Sequence, residues 1–176
     1  VANEDDNLAH RRILNTPKRG IGDVTESAIQ RFADDNGISF REAMRQVDNL
    51  GLGAKVTGTI REFVATLDKV SAMAPGAKVV DVLLALLEAT GYLIILKDSR
   101  DPQDNARAEN VEELVGQTRA FQVTNPEGTL IDFLTEVALV SAADDIDDES
   151  GTVSLMTLHT AKGLEFDAVF ITGVEE

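Results

Sequence analysis

The chain of 176 residues contains no cysteine, so disulfide frameworks and thiolate metal sites are excluded, and a reducing setting fits. It has no tryptophan, one tyrosine (Tyr92), and aromatics amount to 5%. A core must then be built from Leu, Val, Ile and Ala, which suits helices. The only histidines, His10 and His159, lie far apart in sequence, so no zinc site is expected and no metal ligands are assigned. No apolar run approaches the roughly 20 residues that a membrane-spanning helix needs. The start VANEDDNLAH lacks the layout of a signal peptide and has no initiator Met, so a chain processed or cut from something longer is expected. Positive charge is also scarce. Against 31 acidic residues stand 16 Lys and Arg, a net charge of −15, which argues against a surface that grips nucleic acid everywhere.

What is present has the balance of a globular protein, 43% apolar and 27% charged. The few cations cluster: Arg11, Arg12, Lys18 and Arg19 form a local basic edge, whereas acid gathers at Glu4–Asp6 and Asp144–Glu149. Residues 7–14 read as a short helix ended by Pro17. Asp23 can cap a helix with Val24, Ala28, Ile29, Phe32 and Ala33 on one face, stopped by Gly37. Ser39 and Glu42 form a capping box that opens a helix to about Leu50. A stripe of Val56, Ile60, Phe63, Val64, Leu67 and Val70 marks a helix from Ala54 to Met73, ended by Pro75-Gly76. Residues 78–90 are apolar enough to predict a central helix buried on most sides and capped by Gly91. The segment YLIILK is compatible with a strand or a helical turn. Pro102 starts a helix to about Val123 with Ala106, Val111, Leu114, Val115 and Phe121 inward. Thr129 caps another, carrying Leu130, Phe133, Leu134, Val137 and Leu139. Beyond the acidic loop Asp144–Ser150, two β-type runs, Val153–Leu158 and Ala168–Thr172, bracket a turn with Lys162-Gly163. No internal repeat is found. The pattern is mainly α, many helices followed by strand, turn, strand.

The C-terminal turn carries Thr157, His159, Lys162, Gly163 and Glu165 directly after a buried-strand pattern. Ligands of open α/β sheets bind at strand ends, where Thr157 and His159 could meet phosphate oxygens, Lys162 add charge and Glu165 accept from a ribose hydroxyl. From the residues alone, a surface β-turn-β with ordinary solvated charges is the plainer reading, since any one His or Lys says little. The string TLHTAKGLEF within VSLMTLHTAKGLEFDAVFITGVEE closely resembles motif V of the superfamily 1 helicases of the UvrD/PcrA/Rep group. The resemblance implies a DNA-strand contact at His159 and a nucleotide-ribose contact at Glu165, with Thr157, Lys162 and Gly163 shaping the loop between the two. Asp167 departs from the uncharged residue of many relatives and leaves that carry-over intact.

Near the other end, Arg19-Gly20-Ile21-Gly22 is a glycine-flanked turn that feeds a helix N-terminus. Exposed N–H groups beside a positive dipole end can hold an anion, helped by Lys18, Arg19 and Thr25. The plainer reading is a helix–helix turn that merely needs permissive glycines. RRILNTPKRGIGDVT resembles the opening of domain 2B in the same helicases, where such a turn lies in a helix-hairpin-helix-like element on duplex backbone. Carried over, Gly20, Ile21, Gly22 and Thr25 become duplex-phosphate contacts with Lys18 or Arg19 nearby, and Asn15 and Pro17 shape the approach. ARAENVEELV at 106–115 fits the same domain in a structural role.

A motor needs a phosphate cradle, G-x-x-x-x-G-K-[ST], and an acidic pair for magnesium. Neither is present, and GLGAKVTG at 51–58 has the wrong spacing. The resemblance therefore implies a 2B-like helical accessory domain over residues 1–150 and a piece of the RecA-like motor domain 2A over 151–176. This belongs to a 3′–5′ DNA helicase that uses ATP and Mg²⁺ in full length, while the piece itself is expected to bind neither and to be inactive. The expected partners are duplex or junction DNA, single strand at motif V, and repair or transcription proteins, in the cytoplasm at the nucleoid and not at a membrane. An interaction or self-association module with negligible DNA binding is the competing expectation, and a relative from the helicase-nuclease branch a more distant one.

Overall fold

A computed structural model describes residues 1–143, 156, 161 and 165–171, and among residues 140–143 the backbone alone. The described regular structure is entirely helical: α1 Asn7–Leu14, α2 Asp23–Asn36, α3 Phe40–Arg45, α4 Ala54–Met73, α5 Val79–Thr90, α6 Tyr92–Asp98, α7 Pro102–Thr124 and α8 Leu130–Ala143. Backbone contacts divide the chain into one compact unit, Val1–Ala138, and a second, Leu139–Glu176.

Local chemistry accounts for most boundaries. The Asp6 carboxylate accepts from the Ala9 N–H at 2.9 Å and starts α1. Gly37 takes the left-handed conformation after α2, and the Ile38 N–H reaches back to the Ala33 carbonyl at 3.0 Å. The Ser39 hydroxyl accepts from the Glu42 N–H at 3.3 Å, but the helix it opens stops at Arg45, short of the expected Leu50. Residues Val47–Leu50 tighten into a 3-10 turn that lets Val47 reach the core. Asp101 caps α7 through the Gln103 N–H, and Thr129 and Asp132 cap α8 reciprocally, at 2.8 Å and 3.2 Å.

The main core lies among α1, α2, α3 and α4 and joins Leu14, Ile21, Ile29, Phe40, Met44 and Ile60 with neighbours. The stripe expected on α4 is the one buried: Ile60, Phe63, Val64, Leu67 and Val70. A smaller cluster holds Val79, Phe121 and Phe133, with the two rings edge to face at 5.4 Å. Gly128 sits so close that a Cβ there would come within 2.7 Å of the Phe121 ring.

On three helices the buried faces differ in part from those expected, and the open alternative at YLIILK is decided. Helix α5, expected to be buried on most sides, fully buries Val79 and Val82; Leu86 is half-buried against the main core, and Leu84 is 41% exposed. YLIILK is helix α6, set at 61° to α5 by the left-handed Gly91. On α7, Val115 and Phe121 are buried as expected and Leu114 packs against the Phe121 cluster, but Ala108 and Thr118 join them and Ala106 faces out. Of the apolar positions expected inward on α8, Phe133 is buried and Leu130 packs against its cluster, while Leu134, Val137 and Leu139 are exposed. Of the two β-type runs, 153–155, 157–158 and 172 lie outside the described residues, as does the acidic loop 144–150. Residues 168–171 carry no strand pairing, and Phe170 is 91% exposed.

Candidate nucleic-acid interface

Helix α1 ends in a loop, residues 15–22, that is organised from within. The Asn15 side-chain oxygen accepts from the backbone N–H groups of Arg19 at 2.8 Å and Ile21 at 3.3 Å. Arg19 Nη1 donates to the carbonyls of Ile13, Leu14, Thr16 and Pro17 at 2.8–3.3 Å, neutralising the carbonyl end of α1. Its guanidinium lies 4.2 Å from the ring centre of Phe63 on α4, a cation–π contact. Burial pushes the Arg19 pKa below its ordinary value. Ile21 is 2% exposed and belongs to the main core. The side chains of Arg19 and Ile21 thus face the protein and hold the loop, and their N–H groups are engaged with Asn15.

The glycines between and after them are free of such duties. Gly20 has a φ of +73°, which an L side chain adopts at a cost, and a Cβ at Gly20 or Gly22 would meet nothing within 4 Å. Gly22, not Asp23, is the N-cap of α2, in extended conformation and without a side-chain cap. Its carbonyl accepts from the Thr25 and Glu26 N–H groups at 3.0 and 3.1 Å. Among the described residues, the N–H groups of Gly22, Asp23 and Val24 have no acceptor. Val24, expected inward, is 86% exposed beside them. Lys18 and Arg12, earlier in the chain, are exposed cations, and Thr25 is half-buried. Two carboxylates share the first turn, Asp23 and Glu26, of which Glu26 is paired with Arg11 at 2.7 Å. The result is an uncapped helix start that offers N–H donors to an anion, with modest net charge behind it.

A second turn of the same design was not evident as a repeat. Gly51-Leu52-Gly53-Ala54-Lys55-Val56-Thr57 follows Gly20-Ile21-Gly22-Asp23-Val24-Thr25 closely, the shared signal being glycine, branched aliphatic, glycine, then Val-Thr. Gly51 also has a positive φ, +65°, Leu52 packs on the same core as Ile21, and Gly53 caps α4 without a side-chain bond. The turn is preceded by the 3-10 segment Val47–Leu50 rather than a strand, and Lys55 is inside the first turn of α4, exposed. It therefore does not fit the nucleotide cradle that ATP and magnesium require.

At the C-terminal motif, Thr157, His159, Lys162 and Gly163 lie outside the described residues, and Glu165 is exposed on irregular backbone. Among the described residues no cluster of three His, Asp or Glu could hold a metal ion. No single described helix is long and apolar enough to cross a membrane; α5 and α6 pass that test only as a bent pair.

Three relatives are similar along this whole chain. The ATP-dependent DNA helicase PcrA of Bacillus subtilis is 36% identical over 182 residues, covering 100% of this chain and 25% of the relative. The proteins of the same name from Staphylococcus epidermidis and Staphylococcus aureus are 36% and 35% identical over 178 residues, covering 100% of this chain and 24% of each relative. The chain thus spans about a quarter of the length of these curated relatives. The UvrD-like helicase C-terminal domain family matches residues 1–176, and with relatives of this closeness the chain belongs to that family.

Proposed function

We propose that this chain is the DNA-contacting accessory part of a 3′–5′ ATP-dependent DNA helicase. Residues 1–150 act as a 2B-like helical domain, and 151–176 belong to a RecA-like motor domain, where 153–158 and 168–172 become strands once the rest of that domain's sheet is beside them. The observation that supports this best is the uncapped start of α2 behind Gly20-Ile21-Gly22, which leaves the N–H groups of Gly22, Asp23 and Val24 free. In this reading those donors, with the Gly20 backbone, the Thr25 hydroxyl and Lys18, hold duplex phosphates, while Arg19 and Ile21 position the loop. Asp23 and the acidic body keep the affinity low.

In the whole enzyme, Thr157, His159 and Lys162 meet single-stranded DNA, and Gly163 and Glu165 lie at the nucleotide. ATP and Mg²⁺ are supplied with ligands by parts of the protein beyond this chain, which has no phosphate cradle and no motor activity of its own. The protein works in the cytoplasm on nucleoid DNA, in repair or replication.

Junction-DNA binding measured by anisotropy across a salt series tests the interface. Gly22→Val is expected to weaken binding severalfold by blocking close approach, and Lys18→Ala to flatten the log–log salt slope by about one. Equal binding by wild type and Gly22→Val, both folded by thermal melting, would sink the phosphate turn. A second reading, an interaction or self-association module, is favoured by the exposed Ile94 and Ile95 on α6 and Ile131 and Leu134 on α8. Sedimentation that shows concentration-dependent association unaffected by DNA would select it.

A further inference from the structure

The segment ahead of α1 is tied to the body of the unit by charge. Glu4 reaches two cations on α3: its Oε1 lies 3.4 Å from Arg41 Nη2 and its Oε2 lies 3.0 Å from Arg45 Nη2. Asp68 of α4 meets the same pair, 2.8 Å from Arg41 Nη2 and 2.6 Å from Arg45 Nη2. The Ser71 hydroxyl accepts from Arg41 as well, at 3.0 Å. The Arg41 side chain is 0% exposed, and its buried Nε and Nη1 have no hydrogen-bond partner among the described residues. A guanidinium so enclosed is tolerated only where carboxylates compensate its charge. Glu4 and Asp68 are the two paired with it among the described residues, and Glu4 alone comes from outside the α3–α4 pair.

We infer that Glu4, Arg41, Arg45 and Asp68 form a charge clasp that holds residues 1–6 and α1 against α3 and α4. Because α1 leads directly into the loop of residues 15–22, the clasp also fixes that loop; its consequence for DNA rests on the proposed interface, but the clasp itself does not. The structure supplies a reporter. The Phe40 N–H, at the start of α3, donates to the Asn7 side-chain oxygen at 2.8 Å, a bond that links α1 to α3 across 33 positions of sequence. Loosening of α1 frees that amide.

Amide hydrogen exchange of the 176-residue chain tests this with Glu4→Gln, which keeps the shape and removes the charge. Asp48→Asn is the control, since it breaks the exposed Arg61 ion pair at 2.6 Å in the same unit without touching the clasp. Exchange at Phe40 and through α1 is expected to quicken about fivefold in Glu4→Gln and to stay unchanged in Asp48→Asn. Added salt should carry the wild type towards the Glu4→Gln rate. Wild-type exchange at Phe40 in Glu4→Gln, or equal acceleration by both variants, overturns the clasp and leaves apolar packing as what holds α1. The exchange rates read the clasp, and the DNA affinity of Gly22→Val reads the interface, so each can fail alone.

Discussion

The guanidinium of Arg19 donates to the carbonyls around the end of α1 and lies on Phe63, so its loss acts on the fold before it acts on any ligand. Arg19→Ala is expected to lower stability by about 1–3 kcal/mol in urea titration, from unsatisfied carbonyls and the lost cation–π contact. Lys18→Ala, one residue away and exposed, should stay within about 0.5 kcal/mol of wild type. An equal effect of the two substitutions would contradict the inward role of Arg19. Gly128 is constrained in a different way, because the Phe121 ring occupies the space a Cβ would need. Gly128→Ala should cost about 1–3 kcal/mol through displacement of the Phe121–Phe133 pair, seen as a lower urea midpoint.

Among the elements, the turn ahead of α2 separates two glycines by conformation. Gly20, at φ +73°, should cost about 1–2 kcal/mol when replaced by Ala, measured by thermal or urea unfolding. Gly22 has ordinary dihedrals and open space, so Gly22→Val should cost no more than a poorer N-cap, about 0.5–1 kcal/mol. The glycine turn and the α4 stripe were legible in sequence because conformation and 3.6-residue periodicity are local properties. The outward face of α8 was not: periodicity identifies an apolar face without saying what covers it, and Leu134 and Val137 stay exposed. The same limit applied to α5, whose apolar run leaves Leu84 exposed. YLIILK was ambiguous because a short apolar run fits either period, and Gly91 decided it by turning the chain into α6. At the site, Asn15 and Arg19 owe their roles to partners brought together in space, which residue type alone does not disclose. The Gly51–Gly53 turn was readable, but the Val-Thr after it stands one residue farther on than the Val-Thr after Gly22.

For the whole molecule, acid acts through groups that the fold has already shifted. His10 is buried, and desolvation lowers its pKa from 6.5 although Nδ1 donates to the Asp6 carbonyl at 2.8 Å. The unfolded chain therefore takes up a proton that the folded one resists. This contribution is complete above about pH 6.5 and is lost as pH falls from there through the folded value. Asp68 is held below 3.8 by its hydrogen bonds from Arg45 first and Arg41 next, so its contribution is present above that pH and lost beneath it. Urea midpoints should fall in two stages on acidification, and His10→Gln should lack the first. A flat wild-type midpoint between about pH 7 and about pH 5 would contradict the burial of a neutral His10.

At the same scale, the proposed interface gives an acidic body with net charge −15 only a small surface for DNA. Amide chemical-shift mapping while duplex-junction DNA is added at low salt tests that most directly. Shifts are expected to concentrate at Gly20 and at Gly22 through Thr25, with Arg19 and Ile21, whose N–H groups are bound by Asn15, moving less. Shifts confined to α6 and α8, or none at the start of α2, would contradict the proposed interface.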